Sequence, residues 1–357
     1  MRLAASRPSI LSIYLRIVCV LLLLQGGVAG AQESARSAPA HATRIDPTTI
    51  AVIVNAADPL SLSVGEYYAY RRRIPASNVI RVTFATGAAE MSVQEFLRIK
   101  AQVDTAIPHN VQAFALTWAA PYRVGCMSIT SAFAFGYDRS YCADGCTPTR
   151  LSPYFNSPSL APAFDLHMRP AMMLAGHGLP EIKALIDRGI ASDGASPRGT
   201  AYLLLTTDKA RATRVLMYPA AESSGDAFIH IEILKQDVLE HRSDVMFYFT
   251  GLASVTGLDT LRFLPGAVAD HLTSFGGMLT DSRQMSALQW LEAGATGSYG
   301  TVVEPCNFPQ KFSDPAVVIR KYLSGETLIE AYWKSVAWPG QGVFVGEPLA
   351  APFRRSE

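Results

Sequence analysis

The stretch of sequence that decides the fold lies in the last third of the chain. It reads LPGAVADHLTSFGG at 264–277, QWLEAGATGSYGTVVEPCNFP at 289–309 and GETLIEAYWKSVAWPGQGVFVGEPLAAPF at 325–353. Small residues, polar residues and Glu-Pro corners are denser here than core packing usually requires. This composition predicts tight corners between short strands and the loops that follow them.

Outward from this stretch, short apolar runs alternate with helical patterns along the chain. Strands are predicted at 51–54, 79–84, 111–118, 202–206, 245–250, 297–303 and 342–345. Helices are predicted after Asp58 and at 92–104, 180–190, 281–292, 314–323 and 326–336. This alternation predicts an α/β fold with a mostly parallel sheet and helices on both faces. We expect one α/β domain at 49–353 that carries a long inserted loop at about 124–170.

Composition and charge exclude several classes of function. The chain has 357 residues, with 31 Lys and Arg against 30 Asp and Glu, and its formal net charge is +1. No field of one sign therefore steers it toward nucleic acid or an anionic membrane. The sequence contains no Gly-rich phosphate loop of the P-loop or dinucleotide type, so we predict no nucleotide and no other cofactor.

The first 31 residues have the features of a secretory signal peptide. A basic start precedes an apolar run at 17–24, and Ala29-Gly30-Ala31 offers a cleavage site before Gln32. The apolar run is too short to span a bilayer, so we expect no stable membrane span after cleavage. The sequence therefore predicts export to the periplasm or the extracellular space, with a disordered spacer at 32–48.

Several long runs resemble an uncharacterised family of exported bacterial proteins. The runs are VNAADPLSLSVGEYYAYRRRIPASNVI at 54–80, IDRGIASDGASPRGTAYLLLTTD at 186–208, LPGAVADHLTSFGG, GATGSYGTVVEPCNFP and the closing FVGEPLAAPF. That family occurs in genomes that carry exosortase, a proposed membrane transpeptidase that sorts surface proteins. The resemblance implies association with export and sorting, with the exosortase system or envelope polymers as partners. It implies no established activity.

A more distant likeness connects the chain to gingipain-type and caspase-like peptidases. It rests on a Gly-Ala turn into a strand and on Gly346-Glu347-Pro348. The likeness implies a caspase-like architecture, in which a His follows one strand and a Cys follows the next. Here the first position holds Thr250-Gly251 and the second holds Thr273-Ser274. The resemblance therefore implies that the peptidase dyad has been lost or replaced.

Three hypotheses of function remain open. The first is a non-catalytic or specialised envelope factor, which the family resemblance implies. The second is a hydrolase that uses either an Asp270-His271-Ser274 triad or Cys306 with His177 as its base. A helix there would turn His271 about 100° away from Asp270. The third is a carbohydrate or polymer binder, because aromatic residues of the insertion would offer stacking surface. These are Phe133, Phe135, Tyr137, Tyr141, Tyr154 and Phe155.

Polar residues follow several of the predicted strands. In open parallel sheets, ligands bind beyond the carboxyl ends of the strands, so these residues would form a binding ring if the sheet order brings them together. Each also has a local explanation as a helix cap, a loop anchor or a chain turn. The residues of this predicted ring are Asp58, Arg123, Asp208 and Glu304, with Cys306 beside them.

Cysteine usage fits an exported protein. Once Cys19 is removed with the signal peptide, four cysteines remain, and an oxidising compartment favours disulfides over thiolate sites. Three pairings are possible. We expect the pair Cys142–Cys146, which lies close in sequence, and a reduced or buried Cys306. No metal site is predicted, because Cys142-x3-Cys146 has no second Cys or His pair of matching spacing.

Overall fold

The computed structural model describes residues 44–142, 146–220 and 228–355. The predicted signal peptide and the spacer residues 32–43 lie outside the described residues. The remaining part of the predicted spacer, 44–48, is ordered. Ile45 is fully buried, and the backbone N–H of Thr48 donates to the carboxylate of Asp46 at 2.7 Å. The prediction of disorder was wrong for these residues because Ile45 packs into the core.

The described residues form an α/β fold, as predicted. The strands are β1 (Ile50–Asn55), β2 (Val79–Val82), β3 (Glu90–Met91), β4 (Ala113–Leu116), β5 (Arg123–Val124), β6 (Met127–Ser128), β7 (Ala171–Met173), β8 (Gly199–Leu204), β9 (Ile229–Leu234), β10 (Val245–Thr250), β11 (Phe263–His271), β12 (Gly297–Thr301) and β13 (Gly342–Gly346). The helices are α1 (Pro59–Arg72), α2 (Val93–Ala106), α3 (Ile129–Phe135), α4 (Pro162–Asp165), α5 (Leu179–Ser192), α6 (Leu288–Glu292), α7 (Pro315–Leu323) and α8 (Leu328–Trp333).

Ten of these strands form one sheet in the order β2-β1-β4-β7-β13-β12-β11-β10-β8-β9. All neighbours in it are parallel except β12 and β13, which pair antiparallel from Gly297↔Gly346 to Thr301↔Gly342. The small strands β3, β5 and β6 form a second sheet. The prediction of a mostly parallel sheet is therefore confirmed.

The sheet consists of two halves with the same internal strand order. In the first half the strands run β2-β1-β4-β7-β13, and in the second they run β9-β8-β10-β11-β12 when read from the other edge. In each half the first strand in the chain takes the second position from the outside, and the next strand takes the outermost position. The remaining three strands then follow one another toward the centre of the ten-stranded sheet. The second half is inserted in the chain between the fourth and fifth strands of the first. The fifth strands of both halves meet at the antiparallel pair, as an approximate two-fold axis between them requires.

This arrangement separates the carboxyl ends of the two halves. Within each half the strands are parallel, so their carboxyl ends lie side by side along one border of the sheet. We call this border the carboxyl edge of that half. Because β12 and β13 are antiparallel, the carboxyl edge of the first half and the carboxyl edge of the second half are opposite edges of the sheet. The chain thus has two separate places where ligand-binding loops of a parallel sheet usually gather.

Glycines at the central pair explain the small residues of the stretch quoted first. A Cβ on Gly342 would lie 1.8 Å from the hydroxyl oxygen of Tyr299, and a Cβ on Gly300 would lie 2.3 Å from the backbone of Gly276. At Gly300 the backbone therefore packs directly on the backbone of Gly276, and at Gly342 the ring of Tyr299 occupies the space that a side chain would need. The small residues that looked functional in the sequence are required by this close approach.

Both faces of the sheet are covered by apolar side chains. Alternate residues of β1 point to opposite faces, with Val52 and Val54 on one and Ala51 and Ile53 on the other. The cluster that contains Val52 continues across both halves, because it also includes Phe247 of β10. Burial on both faces is typical of parallel sheets and explains the continuous apolar runs of the strands.

Helix starts follow the capping signals in the sequence. The carboxylate of Asp58 accepts a hydrogen bond from the backbone N–H of Leu60 at 2.9 Å, and Pro59 occupies the first turn of α1. The hydroxyl of Ser92 accepts from the N–H of Glu95 at 3.2 Å at the start of α2. The helix starts predicted after Asp58 and at residue 92 are confirmed.

Two segments differ from the prediction. The residues around 270 form the long strand β11 rather than a helix, and the helix predicted at 281–292 is only the five-residue α6. Short apolar runs fit a buried strand and a buried helix equally well, so periodicity alone does not separate them. Here Pro265 and Gly266, whose φ is +87°, disfavour a helix.

The predicted long loop at 124–170 has regular structure in the parts that the structure describes. It contains β6 and the helices α3 and α4, and the buried ring of Phe133 packs edge-on against Phe96 and Phe114. The hydroxyl of Ser131 donates to the backbone carbonyl of Pro339 at 2.6 Å, which ties the insertion to the start of β13.

Among all described residues, no helix has both the length and the apolar character needed to cross a bilayer.

We expect Gly300→Ala to lower the free energy of unfolding by about 1–3 kcal/mol or more, because the new methyl group would meet rigid backbone rather than a movable side chain. Gly178→Ala is the matched control, since its Cβ would meet nothing closer than 3.7 Å and its φ is −162°. Urea denaturation of the two variants measures the difference. Equal stabilities would contradict the close approach at the central strands.

Candidate functional site

The carboxyl edge of the second half holds the strand ends where peptidase residues were expected. A hydrogen bond of 2.8 Å from the Thr206 hydroxyl to the carbonyl of Gly251 joins the loop after β8 to the end of β10. A Cβ on Gly251 would lie only 2.1 Å from the carbonyl oxygen of Arg211, so the two loops are in backbone contact. The Nε of Arg211 then donates to the hydroxyl of Thr273, 3.3 Å away, beyond the end of β11. This edge is a closely packed polar surface.

The two positions that the peptidase likeness assigns lie at the ends of the neighbouring strands β10 and β11. Thr250 pairs with His271 across β10 and β11, and the N–H of Leu272 donates to the carbonyl of Thr250 at 3.0 Å. Ser274 is half-buried three residues beyond the end of β11, and its carbonyl accepts from the hydroxyl of Thr301 at 2.8 Å. A Thr and a Ser therefore stand at neighbouring strand ends where a peptidase dyad would have an imidazole and a thiolate.

Asp270 lies below this edge in a buried ion pair. Its carboxylate contacts the guanidinium of Arg214 and accepts hydrogen bonds from the hydroxyls of Ser313 at 2.6 Å and Tyr332 at 2.7 Å. Both charged side chains are about 1% exposed. Arg214 also donates to the carbonyl of Thr250 at 2.9 Å, so the pair holds the end of β10 in place. The oxygens of this carboxylate are occupied by neighbours that fix the fold.

His271 lies on the opposite face of β11 from Asp270. Its Nδ1 accepts a hydrogen bond from the indole N–H of Trp290 at 2.9 Å. Burial lowers the pKa of His271 from 6.5 to about 4, so the ring is neutral at physiological pH. Because Nδ1 is an acceptor, the proton of the neutral ring is on Nε2, and no lone pair is available for a general base.

The predicted Asp270-His271-Ser274 triad is therefore wrong. Successive residues of a strand point to opposite faces, so Asp270 and His271 diverge. The carboxylate cannot orient the imidazole, and the imidazole is committed to Trp290. The error follows from placing these residues on a helix.

The second catalytic hypothesis also fails in its geometry. The Nε2 of His177 lies 2.8 Å from a carboxylate oxygen of Glu292, and this histidine is exposed at the carboxyl end of β7 in the first half. Cys306 follows β12, whose carboxyl end is on the opposite edge of the sheet. Its sulfur is bonded to Cys146, so no thiolate is present.

Two disulfides replace the predicted pairing. They join Cys126 to Cys142, with Cα atoms 5.3 Å apart, and Cys146 to Cys306, with Cα atoms 5.4 Å apart. The prediction of a Cys142–Cys146 bridge and a reduced Cys306 was wrong. Cys126 lies in the turn between β5 and β6, and folding of the insertion brings Cys142 beside it. Approach of the Cβ atoms decides a pairing, and proximity in sequence does not supply it.

The predicted binding ring does not form. Asp58 caps α1 at the carboxyl edge of the first half, whereas Asp208 and Glu304 belong to loops at the carboxyl edge of the second. Arg123 pairs with Glu90 at 2.7 Å on the small sheet. Glu304 accepts from the N–H of Cys306 at 2.8 Å and so closes a local turn. The opposite directions of the two halves separate residues that a single parallel sheet would have gathered.

The aromatic residues of the insertion pack inward. None of the six is exposed, and Phe133, Tyr141 and Tyr154 are at most 3% accessible. The rings of Phe135 and Tyr141 stack on each other with centroids 4.2 Å apart. They cannot serve together as a stacking platform for a sugar, so this part of the polymer-binder hypothesis was wrong.

One unusual side chain near the carboxyl edge of the second half was not predicted from the sequence. Lys311 is fully buried, and its Nζ has no hydrogen-bond partner among the described residues. The ammonium lies 5.0 Å from the ring centre of Phe308, and burial lowers its pKa to about 8. A lysine in a run of Pro, Gln and Phe carries no periodic signal, so only the folded chain shows its burial.

No group of three His, Cys, Asp or Glu suited to a metal occurs in the described ranges.

We expect the stability of the protein to fall as the pH drops from about 6.5 toward 4. His271 has a folded pKa below its unfolded value, so the unfolded state binds the extra proton in this window. The slope in the wild type should exceed that in His271→Gln by up to about 1.4 kcal/mol per pH unit. His230→Gln, which changes an exposed histidine, is the control and should keep the wild-type slope. Parallel slopes in wild type and His271→Gln would refute a neutral buried imidazole.

We expect the double variants Cys146→Ala/Cys306→Ala and Cys126→Ala/Cys142→Ala each to lose about 2–4 kcal/mol of stability, because each removes one cross-link from the unfolded chain. Peptide mapping under non-reducing conditions should recover only the two pairs Cys126–Cys142 and Cys146–Cys306. A peptide that links Cys142 to Cys146 would show that the pairing described above is incorrect.

Comparison with known proteins adds no relative from which an activity could be transferred. No protein-family model matches the chain, and no curated protein matches it at a significant level.

Proposed function

We propose that this chain is an exported, non-hydrolytic binding protein of caspase-like architecture that acts beside exosortase-dependent sorting of surface proteins. The observation that carries the proposal is the state of the two adjacent strand ends after β10 and β11. Thr250 and Ser274 occupy them, and the nearest histidine, His271, is neutral, buried and bonded to Trp290. A serine without an available base is a poor nucleophile at neutral pH.

The state of the cysteines supports the same conclusion. Every cysteine in the described part of the chain is in a disulfide, so none offers a thiolate. The carboxyl edge of the second half, which we call the peptidase-like edge, would then keep the shape of a peptidase site without its catalytic residues. Its loops are held by the Thr206–Gly251 and Arg211–Thr273 hydrogen bonds, and such a rigid surface suits recognition of a partner.

Export to the periplasm or the extracellular space is part of the proposal. Two disulfides form and persist in oxidising compartments, where small thiols do not keep cysteines reduced. The signal peptide predicted at 1–31 supplies the route. The association with exosortase rests on the resemblance of the runs quoted above, and the partners we propose are the sorting machinery or envelope polymers.

We expect the purified, oxidised protein to leave a library of fluorogenic peptides uncut, with Ser274→Ala indistinguishable from wild type. In a host with exosortase-sorted surface proteins, deletion of the gene should impair their display. Both wild type and Ser274→Ala should restore it, because neither acts by hydrolysis.

Two results would contradict the proposal in different ways. Peptide turnover that disappears in Ser274→Ala, with the melting temperature unchanged, would establish a hydrolase. Normal surface display in the deletion strain would remove the role in sorting while leaving the non-hydrolytic fold in place. Asn307→Ala, an exposed change beside the same edge, is the control for nonspecific effects.

A further inference from the structure

Two neighbouring pockets lie away from the peptidase-like edge, where the C-terminal segment crosses the ends of α5 and α7. The first has a volume of about 330 Å³, and its lining includes Arg44, Ser324 and Gly325. The second has a volume of about 390 Å³. Arg354 and Arg355 line both pockets and form the wall between them. Volumes of this size are those of small-molecule sites.

The first pocket is strongly cationic. Three guanidinium groups, those of Arg44, Arg354 and Arg355, line it, and none of its described lining residues carries a carboxylate. This concentration is not a consequence of overall composition, because the chain carries 31 basic and 30 acidic side chains. A concave surface with one sign of charge raises the local concentration of ions of the opposite sign.

The acidic residues of the second pocket are already engaged. The carboxylate of Asp193 forms an ion pair with Arg72 and accepts from the N–H of Ala351 at 3.0 Å. The carboxylate of Asp46 accepts from the backbone and hydroxyl of Thr48, both at 2.7 Å. Arg72 offsets the charge of Asp193, whereas Asp46 keeps its negative charge, so the second pocket is less cationic than the first.

The two arginines of the wall have different roles. The Nε of Arg354 donates to the carbonyl of Gly325 at 3.2 Å, and its Nη2 lies 3.7 Å from Glu330, so this side chain is fixed. Arg355 is exposed and forms no ion pair with a described residue. Its guanidinium therefore keeps its hydrogen-bond donors for a ligand at the mouth of both pockets.

We propose that the first pocket is a binding site for an oxyanion group, carboxylate or phosphate, carried by an acidic chain. The planar guanidinium group binds both kinds of oxyanion through paired hydrogen bonds. Arg44 and Arg355 both line this pocket and would supply such hydrogen bonds. The site does not depend on the peptidase-like edge and would remain if the proposed function failed.

The test uses titration calorimetry of the oxidised protein at low salt with two probes, a trigalacturonate and inorganic pyrophosphate. We expect at least one probe to bind, and Arg355→Gln and Arg44→Gln each to weaken it by about tenfold or more, as loss of a charge-assisted contact does. Raising the salt concentration should also weaken binding. Binding of trigalacturonate alone identifies a carboxylate polymer, and binding of pyrophosphate alone identifies a phosphate.

The control is Arg81→Gln on β2, an exposed arginine that removes the same charge from the other end of the sheet. It should bind both probes as the wild type does. An equal loss in Arg81→Gln would show nonspecific attraction and overturn the site. Absence of binding by either probe, with unchanged melting temperatures in all variants, would overturn it as well.

Discussion

The antiparallel pairing of β12 with β13 is the constraint on which the rest of the structure depends. It joins two halves of identical strand order, and Gly342 at this pair leaves room for the ring of Tyr299 on the partner strand. Side chains of both halves then share one continuous apolar layer on the face that contains Phe247 and Phe344. A parallel pairing at the same place would have put all the loops on one edge. The antiparallel one divides the potential binding surfaces between two edges, and so determines where any chemistry could occur.

Buried charges connect the halves to the helices that cover them. Arg214 and Asp270 are neutralised by each other, and Arg72 is paired with the fully buried Glu347 beside the hydroxyl of Tyr68. Removing one partner of such a pair leaves an uncompensated charge in the core and typically costs about 3–5 kcal/mol. These residues resemble catalytic groups in the sequence because they are polar residues in apolar runs. In the folded chain their lone pairs and protons are engaged in hydrogen bonds and ion pairs with neighbouring residues. The predicted Asp270-His271-Ser274 triad therefore has no free general base.

The sequence predicted the class of fold well and its internal duplication not at all. Apolar runs such as 245–250 identified strands, and Asp58 and Ser92 identified helix starts, because both signals are local. The reversal between β12 and β13 depends on pairing between distant segments, for which no local pattern exists. The same limit applies to Cys306, whose partner is 160 residues away, and to His271, whose neutral state follows from burial beside Trp290. Candidate site residues could be proposed from the sequence, but the residues that contact them in the folded chain could not be predicted.

The insertion of one half within the other has a consequence for how the chain matures. Strand β13 completes the first half, yet it is made only after all five strands of the second half. During synthesis, residues 50–173 emerge with an unfilled place beside β7, and this side of the sheet stays unpaired until 342–346 arrives. Contacts between segments so far apart form slowly, and open strand edges invite wrong pairing. A chain of this topology gains from staying unfolded until its last strand, β13, has been delivered.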